Sequence, residues 1–142
     1  PNRAMERASD ILSRVGIPLT VNNIIGFPDE TRDLVFDTIA LNRKLTIDSV
    51  NCAIFAPFHG TPLRERSVSQ GYIDPSFICR PANMYASLSM PQLPQKELYG
   101  LQRTFPLYVK MPKRYWGLIR RAETDDRELS RLQRLYRQRY FR

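Results

Sequence analysis

The stretch that most limits what this chain can fold into runs from Gly16 to Thr31 and reads G-I-P-L-T-V-N-N-I-I-G-F-P-D-E-T. Thr20 to Ile25 is apolar and β-branched apart from Asn22-Asn23, too short for a helix and without a capping signal inside it, so it reads as a buried strand. Gly26 ends that strand where a side chain would be in the way, and Pro28 presets the backbone for a first helical turn. Asp29 and Glu30 then put carboxylates where the positive end of a helix dipole favours them. A strand that turns straight into a helix exposes backbone donors and acceptors at the carboxyl edge of a sheet, where α/β folds place ligands. The same Gly-Phe-Pro spacing also serves as a plain tight connection.

The flanking sequence repeats the plan. Asn2 can cap a helix to about Val15, with Met5, Ala8, Leu12 and Val15 in one apolar stripe, and Gly16 and Pro18 end it. Thr31 to about Lys44 is helical, with Leu34, Val35, Thr38, Leu41 and Leu45 along one side. Asp48 to Pro57 reads as a second strand, continuously apolar from Cys52 to Ala56 as in a strand covered on both faces. A strand, a helix and a parallel strand form a right-handed crossover, the unit of a barrel. Thr61 and Pro62 then open a short helix that stops near Gly71. His59 is the single histidine of the chain, and no Asp, Cys or second His lies near it in sequence to make it a general base or metal ligand.

Two motifs carry a family resemblance. I-I-G-F-P-D-E-T is similar to the fifth-strand motif of radical S-adenosylmethionine (SAM) enzymes, in which an apolar strand ending in glycine packs on the adenine of SAM. Asn51 to Leu63, N-C-A-I-F-A-P-F-H-G-T-P-L, resembles the sixth strand of that family. Gly71-Tyr72-Ile73 and Leu98 to Trp116, with its Tyr-x-Lys-x-Pro, resemble the tail of cobalamin-binding radical SAM proteins, related to methyltransferases and the magnesium-protoporphyrin ester cyclase.

The resemblance implies an α/β chain that is the C-terminal fragment of a partial (β/α) barrel with parallel strands, followed by a helical C-terminal extension. Residues 1–72 would be the barrel portion, 73–93 a connecting segment and 94–142 the basic helical extension. It implies SAM and a [4Fe-4S] cluster in the parent protein, with cobalamin in the related class, acting on a small-molecule substrate. In such enzymes the reduced cluster breaks SAM to a 5'-deoxyadenosyl radical that abstracts hydrogen from substrate, or a methyl group moves through cobalt. Carried onto this sequence, Ile24, Ile25, Gly26 and Phe27 would pack against adenine, and Asn23 and Glu30 would make polar contacts nearby. Phe55, Pro57 and His59 would line the neighbouring strand top. Keeping such chemistry in a dry, apolar site prevents side reactions.

The resemblance assigns no catalytic residue and no metal ligand to this chain. The three closely spaced cysteines that hold the family's cluster are absent, since Cys52 and Cys79 stand twenty-seven positions apart. With the chain beginning at Pro1, the expectation is the C-terminal part of a longer protein, partnered by its missing N-terminal half and inactive alone. Asp29 stands where many members have glycine, and Phe58-His59 where a small residue or proline is common.

Composition adds limits. The 42% hydrophobic and 25% charged fractions suit a globular protein, and no apolar run approaches the roughly 20 residues of a membrane span. Two cysteines make no disulfide framework, which fits a cytoplasmic location. Residues 73–93, rich in Pro, Ser, Asn and Met, read as a long connection with a strand at Tyr85 to Met90 and with Arg80 and Asn83 facing a ligand. From Pro94 the chain turns helical. Leu98, Leu101, Phe105 and Tyr108 form a stripe, Pro112 interrupts, and Tyr115, Trp116 and Ile119 continue. Asp125 or Asp126 caps a last helix aligned on Leu129, Leu132, Tyr136 and Tyr140.

The net charge of +8 belongs to this tail: residues 1–102 carry ten Lys and Arg against ten Asp and Glu, and residues 103–142 twelve against four. Arg131, Arg134, Arg137, Arg139 and Arg142 interleaved with tyrosine make a basic nucleic-acid-binding or protein-interaction module the alternative function. The same arginines suit a solvated face, or docking on an acidic neighbouring domain.

Overall fold

In a computed structural model, which describes residues 2–79 and 87–139, the chain is mixed α/β. Helix α1 (Asn2–Arg14) leads to strand β1 (Thr20–Ile25), helix α2 (Arg32–Asn42), strand β2 (Ser49–Ile54) and helix α3 (Pro62–Ser69). Helix α4 (Gln95–Lys110) follows, then a single 3-10 turn at Lys113–Tyr115, helix α5 (Trp116–Ala122) and helix α6 (Asp126–Arg139). β1 and β2 pair in parallel, from Thr20 opposite Ser49 to Ile25 opposite Ile54, and form the whole sheet among the described residues.

Local chemistry accounts for the boundaries. Thr31 and Thr61 sit in extended backbone, and each hydroxyl accepts from the amide three residues on, Leu34 and Arg64, satisfying an orphan donor of the first turn. Asp125 does the same for α6, its carboxylate accepting from the amides of Arg127 and Glu128. Arg43 serves the other kind of end. Its Nη1 lies within 2.8 Å of the carbonyl oxygens of Tyr108, Val109 and Met111, the acceptors that the end of α4 leaves unpaired.

The stripe expected on α4 is the centre of the core: Leu98, Leu101, Phe105 and Tyr108 are all fully buried, each worth about 1.5–3 kcal/mol over exposure. They pack on β2 and α2, so the face of the sheet carrying Ile25, Val50 and Ile54 is closed by helix. Phe36, Tyr108 and Trp116 meet edge to face at 5.0–5.5 Å between centroids, locking α2, α4 and α5 together.

Four expectations need correction. Pro28 opens no helical turn, and Asp29 and Glu30 lie before the helix: α2 starts at Arg32 on a Thr31 cap, with Asp29 left-handed in the turn that precedes it. β2 is not covered on both faces: Asn51 is exposed, and the face it shares with Ser49 and Ala53 is open alongside Thr20, Asn22 and Ile24 of β1. The open face is instead laced with polar pairs, Thr20 Oγ1 to Ser49 Oγ at 2.6 Å and Asn51 Nδ2 donating to Asn22 Oδ1 at 3.0 Å. The α1 stripe does not enter the core. Met5 and Val15 are 45% and 63% exposed, and the buried residue of this helix is Ser9. Residues 87–90 form no strand, only an isolated bridge from Met90 to Leu93. Arg80, Asn83, Tyr85, Tyr140 and Arg142 lie outside the described residues.

Candidate functional site

The parallel register brings the carboxyl ends of β1 and β2 side by side. The amide of Phe55 donates to the carbonyl of Ile25 at 2.8 Å, carrying the pairing one residue past β2, and the Phe27 and Phe55 rings lie 5.0 Å apart. Gly26 is left-handed at φ +86°, and a Cβ there would stand 2.7 Å from Leu98 Cδ2. The glycine is therefore required twice, by its backbone and by the helix seated over it.

Glu30 folds back onto this turn, its Oε2 accepting from the amides of Gly26 and, at 3.3 Å, Phe27. Burial raises the Glu30 carboxyl above its usual value, against the opposing pull of those two bonds. The Cys52 thiol, half-buried, is pushed up to about 12 by burial, with the Glu30 charge adding to it. That leaves Cys52 a small neutral core residue.

The other sequence-selected residues divide by face. Ile24 is 51% exposed on the open face, next to Ala53, whereas Ile25 is fully buried toward the helices. Asn23 points to α2 in a reciprocal amide pair with buried Asn42, at 3.2 and 2.8 Å, and also donates to the Asn51 carbonyl. Phe55 and Pro57 are buried, and His59 is exposed on the turn before α3 with Phe58 and Gly60. The structure thus groups Ile24, Gly26, Phe27, Glu30 and Phe55 at one sheet edge and sets His59 out in solvent.

Sequence reasoning missed two fixtures of this edge. Arg64 is 5% exposed and donates to the carbonyls of Pro57, Pro75 and Phe77 at 2.7–2.9 Å, tying the loop after α3 to the strand top. No local signal marks it, because an arginine on a short helix usually faces water. Asp29, where the resemblance expects glycine, is left-handed at φ +67°. Its carboxylate accepts from Gln70 Nε2 at 2.6 Å and pairs with Arg66, contacts that offset the backbone cost. The family departure was the available clue.

A third group lies under α4. Arg32 donates to Glu97 at 2.9 Å and to both carboxylate oxygens of Glu123 at 2.9 and 2.6 Å, and Tyr108 Oη donates to Glu123 at 2.6 Å. Among the described residues no three His, Cys, Asp or Glu side chains converge on a metal-sized site, so these residues do not fit an iron–sulfur cluster.

A parallel strand–helix–strand unit whose carboxyl ends meet is an α/β ligand scaffold. Comparison with known proteins narrows this. The chain is 40% identical over 47 residues, 33% of its own length and 9% of the relative's, to a tRNA-2-methylthio-N(6)-dimethylallyladenosine synthase of Anoxybacillus flavithermus. It is 44% identical over 50 residues, 35% of its length and 11% of the relative's, to an uncharacterized methyltransferase of Pyrococcus horikoshii. The match spans about a tenth of either relative's length. No family model and no solved structure matches the chain. The two partial matches support a distant relation to radical SAM enzymes over about a third of the chain, and nothing finer. Among the described residues no helix is long and apolar enough to cross a membrane.

Proposed function

We propose that this chain supplies part of the SAM and substrate pocket of a radical SAM enzyme whose cluster motif lies outside it, with β1 and β2 as neighbouring strands of a partial barrel. The observation that carries the reading is the parallel register that aligns Gly26 with Phe55 while leaving Ile24 bare on the open face. Adenine is flat, apolar on its faces and polar at its edge. Ile24 fits one of its faces with the Phe27–Phe55 pair backing the turn beside it, and the Asn22–Asn51 and Thr20–Ser49 pairs fit a polar substrate floor on the side of Ile24. SAM, when bound, supplies the radical or methyl-transfer chemistry. The chain's own residues hold the walls: Glu30 fixes the Gly26–Phe27 turn through two amides, Arg64 fixes the Pro57 end, and α4 keeps water from behind.

The test is made in two parts. Reading the coding sequence upstream of Pro1 in frame should find three closely spaced cysteines; a complete frame without them overturns the reading. In the whole protein, Ile24→Asp should weaken SAM binding about tenfold or more at unchanged iron content, the scale of one apolar contact replaced by a charge. Unaltered SAM affinity in that variant would also overturn it.

A further inference from the structure

The positive charge of the tail and a cleft beside it call for an occupant that the strand tops do not explain. The cleft measures roughly 460 Å³, within the range of small-ligand sites, and lies between α4 and α6. Pro106 and Leu107 of α4 and Tyr136 of α6 line it together with Arg103, Gln133 and Arg137. We propose that this cleft binds single-stranded nucleic acid, taking one base on its apolar floor and the adjoining phosphates on its arginine rim.

The cations of α6 are arginines throughout. α6 carries Arg127, Arg131, Arg134, Arg137 and Arg139 and no lysine, and from Leu129 to Arg142 the sequence has no acid. Guanidinium groups bind phosphate oxygens in pairs and stack on rings, which ammonium groups do not. Acids three or four residues away stabilise cations on a helix face. Here the acids of α6, Asp126 and Glu128, sit in its first turn, where Arg103, Arg121 and Arg131 approach them. Arg134 and Arg137 are left to project from the acid-free end, exposed.

The floor suits a flat ring. Pro106 lies inside α4, which costs a helix interior its amide bond to the residue four before, yet α4 runs unbroken from Gln95 to Lys110. Its ring is half-buried at the cleft, where it presents a flat apolar surface without a donor. The Gln133 amide lines the same cleft, with groups able to meet a base edge.

A second groove, on the α5 side of α6, repeats the pattern with Tyr115, Leu118 and Leu135 below Arg131 and Arg134. α6 is thus a ridge flanked by two apolar grooves with arginine edges, an arrangement that can follow consecutive nucleotides without reading sequence.

The test uses the whole chain and fluorescein-labelled single-stranded oligonucleotides of mixed sequence, RNA and DNA in separate arms, read by fluorescence anisotropy at two salt concentrations. Saturable binding that weakens steeply with salt is expected. Arg137→Glu and Gln133→Glu should each weaken it about tenfold or more, while Arg3→Glu, which matches the charge change of Arg137→Glu on exposed α1, leaves it within about twofold. Preference for one of the two arms assigns the sugar. Absence of binding at low salt, equal loss from Arg3→Glu and Arg137→Glu, or equal competition by inorganic polyphosphate or polyglutamate overturns the proposal. Binding is read without SAM, so the outcome is independent of the strand-top reading.

Discussion

Replacing Gly26 with alanine adds one methyl group where the turn after β1 meets α4. Two costs arise there. The backbone at φ +86° lies in the region that L side chains rarely adopt, about 1–2 kcal/mol. The new carbon would stand 2.7 Å from Leu98 Cδ2 and 3.3 Å from its Cδ1, on a side chain that is 1% exposed, so relief requires repacking at about 1–3 kcal/mol more. The sum, about 2–5 kcal/mol, is a large part of the 5–15 kcal/mol typical of a domain. Urea unfolding followed by circular dichroism should move its midpoint down by about 1 M or more. Gly16→Ala separates the two costs, because Gly16 is also left-handed, at φ +73°, but has nothing within 4 Å of a Cβ. It should cost only the backbone share. The double variant Gly26→Ala, Leu98→Ala should lose about 1–3 kcal/mol less than the sum of its single changes. Equal losses from Gly16→Ala and Gly26→Ala, with strict additivity in the double variant, would refute the seating of α4 over the turn.

Glu30 gives a pH prediction. Its carboxyl is raised in the folded state, so the fold binds that proton more tightly than the unfolded chain, and this contribution to stability is lost as pH rises from the ordinary glutamate value through the raised one. Glu30→Gln, which cannot ionise, should therefore gain on the wild type across that window; denaturant titrations at stepped pH showing the wild type gaining instead would contradict it. Glu123→Ala leaves the buried Tyr108 hydroxyl without its acceptor and Arg32 with Glu97 alone, and should cost about 1–3 kcal/mol, checked by the same unfolding measurement, a loss under about 0.5 kcal/mol counting against the network. Cys52, with its thiol held neutral up to about pH 12 by burial, should resist iodoacetamide at pH 8 until the chain unfolds; mass spectrometry of the labelled peptide in native buffer decides this.

Local rules were readable where local physics decides. β1 is bounded where its β-branched run ends at Gly26, α3 starts on the expected Thr61 cap, and the α4 stripe is buried residue for residue, whereas α2 starts at Arg32 on a Thr31 cap and not at the expected Pro28. What stayed hidden depends on distant partners. Arg32 and Glu123 lie ninety-one positions apart, and nothing beside either announces the pair. The open face of the sheet did have a signal, since Asn22 and Asn51 interrupt both strands at matching register, but the apolar run from Cys52 to Ala56 outweighed it. The α1 stripe shows the converse: helical periodicity reports an amphipathic helix without saying whether a packing partner lies in the same chain. Among the strand-top residues, alternation along β1 separated Ile24 from Ile25 only once the side closed by α4 was known.

Arg64 sets how the strand top can move. One guanidinium holds the backbone at Pro57 and at residues 75 and 77, so lifting that loop breaks two charge-assisted hydrogen bonds to it at once. Residues 57 and 75–77 thus share a single cation, and Arg64→Ala would untie the end of β2 from the loop after α3 in one step.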